Sequence, residues 1–144
     1  MKKKLYTSIG LMSGTSMDGI DLSIISSDGY DEFSNILDDY YEYDKNLQDQ
    51  LVRLRDLVIT KKDLLQNSEK LRELERNLTL FHADAVNKSL KKYNDPIDLI
   101  GFHGQTIFHN PQEKITNQLG DGNLLSQIVK KKVIYDFRQA DIQN

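Results

Sequence analysis

The sequence contains no cysteine and only two prolines among its 144 residues. Without cysteine the chain cannot form a disulfide, a thiolate metal site or a cysteine nucleophile, and this composition fits a reducing cytoplasm. An excess of positive charge is also missing, since 19 basic and 22 acidic residues give a formal net charge of −3. Electrostatics therefore do not favour a nucleic-acid partner.

Long apolar runs are absent as well. The lysines at 2–4 resemble the start of a signal peptide, but the following segment 5–14 is too short and too polar for its hydrophobic region. No stretch reaches the roughly 18 apolar residues of a membrane helix, so we expect a cytoplasmic protein without a membrane span. With 38% hydrophobic residues, the chain can bury one ordinary core, as one domain or part of a larger one.

The pattern of secondary structure changes along the chain. Segments 4–12, 20–26 and 33–43 are β-prone and separated by turns, which predicts an antiparallel meander. Apolar spacing predicts one helix over 47–58 and a second, long helix from Asp63 to just before Asn94. His82, beside the apolar stripe of that helix, is expected to be structural or at the surface.

After Pro96, segment 97–103 is typical of a buried strand, 123–129 of a helix and 132–137 of a final strand. A meander followed by alternating helices and strands predicts an α/β fold, with a mixed sheet and helices on its faces. This is the layout of a ribonuclease H-like domain.

The turn at 13–21 concentrates groups that can bind a polyphosphate. Gly14 and Gly19 let backbone N–H groups approach an anion, and the hydroxyls between them add donors. Asp18 and Asp21 could hold the water around Mg²⁺. Ordinary hairpins collect similar residues, so composition alone leaves a plain turn as an equal alternative.

The order of the residues is more specific than their composition. Four segments resemble, in the right order, motifs of the anhydro-N-acetylmuramic acid kinase family: Gly10-Leu11-Met12-Ser13-Gly14-Thr15-Ser16-Met17-Asp18-Gly19-Ile20-Asp21, Gly101-Phe102-His103-Gly104-Gln105-Thr106-Ile107-Phe108-His109, Gln118-Leu119-Gly120-Asp121-Gly122 and Asp136-Phe137-Arg138-Gln139-Ala140-Asp141. The resemblance implies the sugar kinase, actin and Hsp70 superfamily, in which two ribonuclease H-like domains close over ATP and substrate.

The resemblance also implies a reaction. The family hydrolyses the 1,6-anhydro ring of anhydro-N-acetylmuramic acid and transfers the γ-phosphoryl group of ATP to O6, in peptidoglycan recycling. ATP, Mg²⁺ and the anhydro amino sugar are therefore the expected ligands. No nucleic-acid or membrane partner is expected, and whether the complete protein forms a homodimer is left undecided by the sequence. Family members are much longer, so residues 1–144 are expected to be an incomplete N-terminal ATPase domain that is inactive alone.

Particular residues follow from the matched motifs. Those expected to bind ATP are Gly14, Thr15, Ser16, Met17, Asp18, Gly19, Ile20 and Asp21. Gln105 and Thr106, expected on a turn beyond a strand, could hydrogen-bond sugar hydroxyls, with turn capping as an equal alternative. His103 at the end of that strand is a further substrate candidate, against an equal chance that it is structural.

Asp141 is the predicted catalytic carboxylate, because it is expected just past the last strand, where side chains point into the crevice of an open α/β sheet. Asp136 is the alternative. Placed inside the predicted strand, it could form an ion pair with Arg138.

No protein metal site is predicted, because the histidines are scattered and Mg²⁺ would be held mainly by ATP and water. One rival interpretation is a ribonuclease H-like nuclease with a two-metal cluster. Its carboxylates would be Asp18, Asp21, Asp98, Asp136 and Asp141. Another is a non-catalytic remnant.

Overall fold

A computed structural model describes residues 3–144 of the chain. Within this range the strands are β1 (Tyr6–Met12), β2 (Gly19–Ser27), β3 (Phe33–Glu42), β4 (Leu99–Phe102), β5 (Gln105–Asn110), β6 (Ile115–Leu119) and β7 (Val133–Tyr135). The helices are α1 (Lys45–Leu57), α2 (Lys61–Gln66), α3 (Ser68–Leu90), α4 (Gly122–Val129) and α5 (Phe137–Gln143).

Five strands form a mixed sheet in the order β3-β2-β1-β4-β7. The first three strands are antiparallel, whereas β4 runs parallel to β1 and β7 runs parallel to β4. The meander and the mixed α/β sheet predicted from the sequence are therefore confirmed. Because β1, β4 and β7 are parallel, their carboxyl ends meet at one edge of the sheet.

The core lies between this sheet and the helices α1 and α3. Alternate residues of the strands point inward, and the predicted apolar positions of the helices meet them. Fully buried members from both layers are Ile9, Leu22, Ile24, Leu51, Leu74, Leu78 and Ile100. The helix α1 begins at the N-cap Asp44, whose carboxylate accepts from the Leu47 N–H at 2.8 Å. No described helix, from residue 3 onward, is long and apolar enough to cross a bilayer.

The single long helix predicted from Asp63 is wrong, because the structure has two helices there. Thr60 and Asp63 form a capping box, so α2 begins before Asp63. At Asn67 the side chain donates to the Asp63 carbonyl at 2.8 Å, and the backbone adopts φ −104° and ψ 17°. An asparagine that bonds a carbonyl of the preceding turn competes with the helical ladder, and α2 ends there.

The hairpin β5–β6 was missed by the sequence analysis. Gln105 and Thr106 do not lie on a turn, because they begin β5, which pairs antiparallel with β6. The turn between the two strands contains Pro111. This small sheet is separate from the main one.

The end of the last strand also differs from the prediction. The strand β7 stops at Tyr135, and Asp136 takes the left-handed conformation with φ 65° and ψ 41° before α5 begins. Asp136 is therefore the residue directly after the strand, and Asp141 lies on α5. The expected positions of these two carboxylates were wrong, because a left-handed backbone at an aspartate has no clear signal in the sequence.

Candidate active site

The candidate site lies where the parallel strands end. Ser13 follows β1, His103 follows β4 and Asp136 follows β7. The loop 13–18 thus lies at the same edge of the sheet as two of the other predicted site residues. This edge is where open α/β sheets bind ligands.

The loop 13–18 is anchored at Met17 and open at its tip. The Met17 side chain is buried, its backbone has a φ of 55°, and its N–H donates to the Gly14 carbonyl at 3.2 Å. Thr15 and Ser16 are exposed. The tip therefore offers backbone and hydroxyl groups to solvent, as the ATP-binding prediction requires.

The two glycines of this loop differ in their surroundings. A Cβ at Gly19 would lie 2.5 Å from the Tyr41 carbonyl oxygen, so Gly19 is required by close packing between β2 and β3. A Cβ at Gly14 would meet only the Ser16 hydroxyl, at 3.9 Å. The space above Gly14 is therefore free for a ligand.

The remaining residues predicted to bind ATP differ in how exposed their side chains are. Ile20 is fully buried in β2, so its side chain belongs to the core, whereas the exposed Asp21 is paired with Met12 of β1. Asp18 is exposed and accepts from the Ser16 hydroxyl at 2.7 Å. This hydrogen bond lowers the pKa of the Asp18 carboxyl below its ordinary value and keeps it ionised.

Gln105 connects the loop to β5. It is almost fully buried, its amide N–H donates to the Gly14 carbonyl at 3.1 Å, and its amide oxygen accepts from the Ser13 hydroxyl. Both ends of the amide are used within the protein, so the described arrangement favours a positioning role. Its contact with a sugar stays a prediction.

A cavity of about 220 Å³ lies between the ends of β4 and β7. It is lined by Phe102, His103, Gln118, Gly120, Tyr135, Asp136 and Phe137. The structure therefore brings together His103 and Asp136, which the sequence had proposed for substrate and catalysis. Thr106 lies next to this wall and accepts from the Gln118 amide at 3.2 Å.

His103 is half-buried, and its Nδ1 lies 3.1 Å from the Gly104 carbonyl oxygen. Because a carbonyl oxygen only accepts, Nδ1 carries a proton in this hydrogen bond. The other ring nitrogen, Nε2, is then the atom of this side chain that can contact a ligand in the cavity.

The turn that closes the cavity is held by α3. Glu75 accepts from the Gly120 N–H at 3.0 Å, and the Thr79 hydroxyl accepts from the Asp121 N–H at 3.0 Å. The Asp121 carboxylate in turn caps α4. These contacts hold Gly120 and Asp121 in place between the end of β6 and α4, which begins at Gly122.

The carboxylates of the rival nuclease interpretation do not converge. Asp98 precedes β4 and accepts from the Thr7 N–H at 2.7 Å, so it lies at the opposite end of the sheet from Asp136. Asp141 is exposed on α5. Within residues 3–144 no cluster of three or more histidine, aspartate or glutamate side chains could hold a metal ion.

The sequence analysis missed two residues that shape the site. Ser13 belongs to the predicted turn 13–21, yet it is buried and bonded to Gln105 and Tyr43. Tyr43 was assigned only to the third strand. A buried serine inside a polar turn has no distinguishing pattern, so sequence alone could not have found this pair.

Comparison with known proteins supports the motifs. A sequence model of the family described as Anhydro-N-acetylmuramic acid kinase matches residues 6–144. The chain is 55% identical over 142 residues to the Anhydro-N-acetylmuramic acid kinase of Pelagibacter ubique, covering 99% of this chain and 38% of that protein. It is 41% identical over 141 residues to the protein of the same name from Rhizobium johnstonii, covering 96% and 38%. The chain thus spans about 38% of the length of these curated relatives.

Proposed function

The chain belongs to the anhydro-N-acetylmuramic acid kinase family, and on this basis we propose that it supplies the phosphate-binding edge of an enzyme that phosphorylates an anhydro amino sugar. The reaction consumes ATP, water and 1,6-anhydro-N-acetylmuramic acid. Water adds at the anhydro carbon as the ring bond breaks, and the freed O6 receives the γ-phosphoryl group. The products are N-acetylmuramic acid 6-phosphate and ADP.

The observation that carries this proposal is the shared position of the loop 13–18 and the cavity beside His103. Gln105 connects them, since it begins β5 directly beyond His103 and Gly104 and bonds to Gly14. A phosphoryl donor at the loop and an acceptor at the cavity would therefore approach each other at one sheet edge. Catalysis of phosphoryl transfer consists mainly of positioning the donor and acceptor together with electrostatic stabilisation.

The proposed ATP contacts are backbone groups of Gly14 to Ser16 and the hydroxyls of Thr15 and Ser16. Glycine allows the close approach, and the N–H groups and hydroxyls complement the negative phosphates. The ionised Asp18 suits a hydrated Mg²⁺, which neutralises phosphate charge when bound. Because ATP is available in the cytoplasm, we place the proposed reaction there.

The proposed sugar contacts are His103 and Thr106, with Gln105 as a contact that would require rearrangement of its present bonds. Asp141 and Asp136 are kept as alternative bases for the attacking water. Asp136 lines the cavity and directly follows β7, which is the position that the sequence predicted for Asp141. Its position therefore favours Asp136 as the base.

A chimeric enzyme tests the function. Residues 1–144 would replace the matching segment of the Pelagibacter ubique relative, and the sugar phosphate would be measured by ³¹P NMR with ATP, Mg²⁺ and the anhydro sugar. We expect turnover in the range of kinases, roughly 1 to 100 per second, and no appreciable turnover by the 144-residue chain alone. The unmodified relative is the positive control.

Two results would contradict the proposal. A chimera that melts cooperatively and binds ATP, yet forms no sugar phosphate, would refute the assigned reaction. Full turnover by the isolated chain would refute the requirement for the remaining part of the relatives.

A further inference from the structure

Tyr43 contacts both ends of the loop 13–18. Its backbone N–H donates to the Asp18 carbonyl at 2.8 Å, and its hydroxyl lies 2.7 Å from the Ser13 hydroxyl oxygen. Tyr43 itself comes between the end of β3 and Asp44, the N-cap of α1. A residue outside the loop therefore spans the distance between the first and last loop residues.

The direction of the hydrogen bonds is fixed by the number of available protons. The Ser13 hydroxyl has one proton, and it donates that proton to the Gln105 amide oxygen. The bond between Tyr43 and Ser13 must then be donated by the tyrosine. The Gln105 amide nitrogen donates onward to the Gly14 carbonyl, which makes a directed chain from Tyr43 to the loop backbone.

The tyrosine ring is itself held firmly. Its exposed fraction is only 4%, and it packs edge to face on Phe81 of α3, with ring centroids 5.1 Å apart. Burial also raises the pKa of the Tyr43 hydroxyl, so the proton that it donates stays in place. The hydrogen-bonded chain thus starts from a side chain fixed in the core.

We propose that Tyr43 is a positioning residue, which acts through Ser13 and Gln105 to hold the backbone of the loop 13–18 ready for the phosphates. The assignment of phosphates to the loop rests on the proposed function. The positioning itself concerns only this chain. Hydrogen bonds made before the ligand arrives reduce the ordering cost of binding.

Hydrogen exchange of the isolated 144-residue chain tests the positioning. We expect Tyr43→Phe to accelerate hydrogen exchange of the backbone amides of Met17 and residue 43 by about tenfold. Their acceptors are the carbonyls of Gly14 and Asp18, and the loop that carries these carbonyls is no longer held by the tyrosine hydroxyl. The matched control is Tyr41→Phe, which removes a hydroxyl bonded to Ser89 and Asp39, away from the loop. That control should leave loop exchange unchanged.

A double variant gives a second readout. Ser13→Ala breaks the same series of hydrogen bonds at its next member. The double variant Tyr43→Phe with Ser13→Ala should therefore accelerate hydrogen exchange of the loop amides no more than either single change. In the chimeric enzyme, Tyr43→Phe should raise the KM for ATP by about tenfold and leave the KM for the sugar nearly unchanged. Tyr41→Phe should alter neither constant.

The outcomes separate the two proposals. Unchanged loop exchange in Tyr43→Phe, or equal acceleration in Tyr41→Phe, would overturn the role of Tyr43 whatever the activity. A different result would separate the proposals in the other direction. If hydrogen exchange of the loop amides responds as expected but the chimera binds no ATP, the positioning role is supported and the proposed function is refuted.

Discussion

The Gln105 amide donates to the Gly14 carbonyl over 3.1 Å, which joins two residues 91 positions apart in the sequence. One belongs to the loop after β1 and the other begins β5. Because Gln105 is nearly fully buried, this bond is protected from competition with water. The two ligand subsites proposed for this edge therefore share a structural element.

The open space at Gly14 allows a direct test of the phosphate loop. Gly14→Val should leave folding intact, because a Cβ there meets only the Ser16 hydroxyl at 3.9 Å. Its branched side chain would fill the proposed phosphate position and raise the KM for ATP of the chimera by about tenfold or more, roughly 1.4 kcal/mol. Gly10→Val is the control. Gly10 lies on β1, outside the loop, and a Cβ there would have no atom within 4 Å. Equal ATP constants in both variants would argue against the loop as the ATP site.

The two carboxylates after β7 can be separated by amide substitution. Whichever of Asp136 and Asp141 is the base, its change to asparagine should lower chimera turnover by roughly 10² to 10⁴ while ATP binding is retained. Normal turnover in both asparagine variants would show that neither carboxylate is the base.

His82 should make the stability of the chain depend on pH. It is fully buried against Phe102, and burial lowers its pKa from 6.5 to about 4, while Nδ1 donates to the Leu78 carbonyl. The folded pKa lies below the unfolded one, so the stabilisation is complete above pH 6.5 and is lost as the pH falls towards 4.

Urea unfolding at a series of pH values measures this effect. Between pH 6.5 and about pH 5 the free energy of unfolding should fall by about 2 kcal/mol through His82. His82→Leu should remove this slope, and His109→Gln, at an exposed position, should keep it. A slope that persists in His82→Leu would assign the pH dependence to other groups.

Gly104 should be intolerant of any side chain. It has a φ of +76°, and a Cβ would lie 2.2 Å from the Leu119 carbonyl oxygen, where β5 and β6 meet. Gly104→Ala should lower the free energy of unfolding by at least about 2 kcal/mol. Gly29 is a matched control, since its φ of +78° is similar but nothing lies within 4 Å of a Cβ. Similar melting curves of Gly104→Ala and Gly29→Ala would show that the backbone conformation alone is responsible.

Local patterns in the sequence were sufficient for much of the fold. The meander, the helix α1 and the strand β4 follow from alternation and helical spacing, which depend on neighbouring residues. The ordered motifs were sufficient for the family, because each is a contiguous run. The β5–β6 hairpin was not predicted, because its strands are short and mixed in polarity.

The arrangement of the candidate site was decided only by the tertiary structure. The sequence gives no sign that Tyr43 donates to Ser13 or that Gln105 turns its amide towards Gly14, because these contacts depend on strand order and on burial. The same holds for Asp136, whose left-handed backbone ends β7 and brings it beside His103. Residue types and local spacing determined which chemical groups were available, whereas the parallel pairing of β1, β4 and β7 determined which of them meet, since it collects their carboxyl ends at one edge.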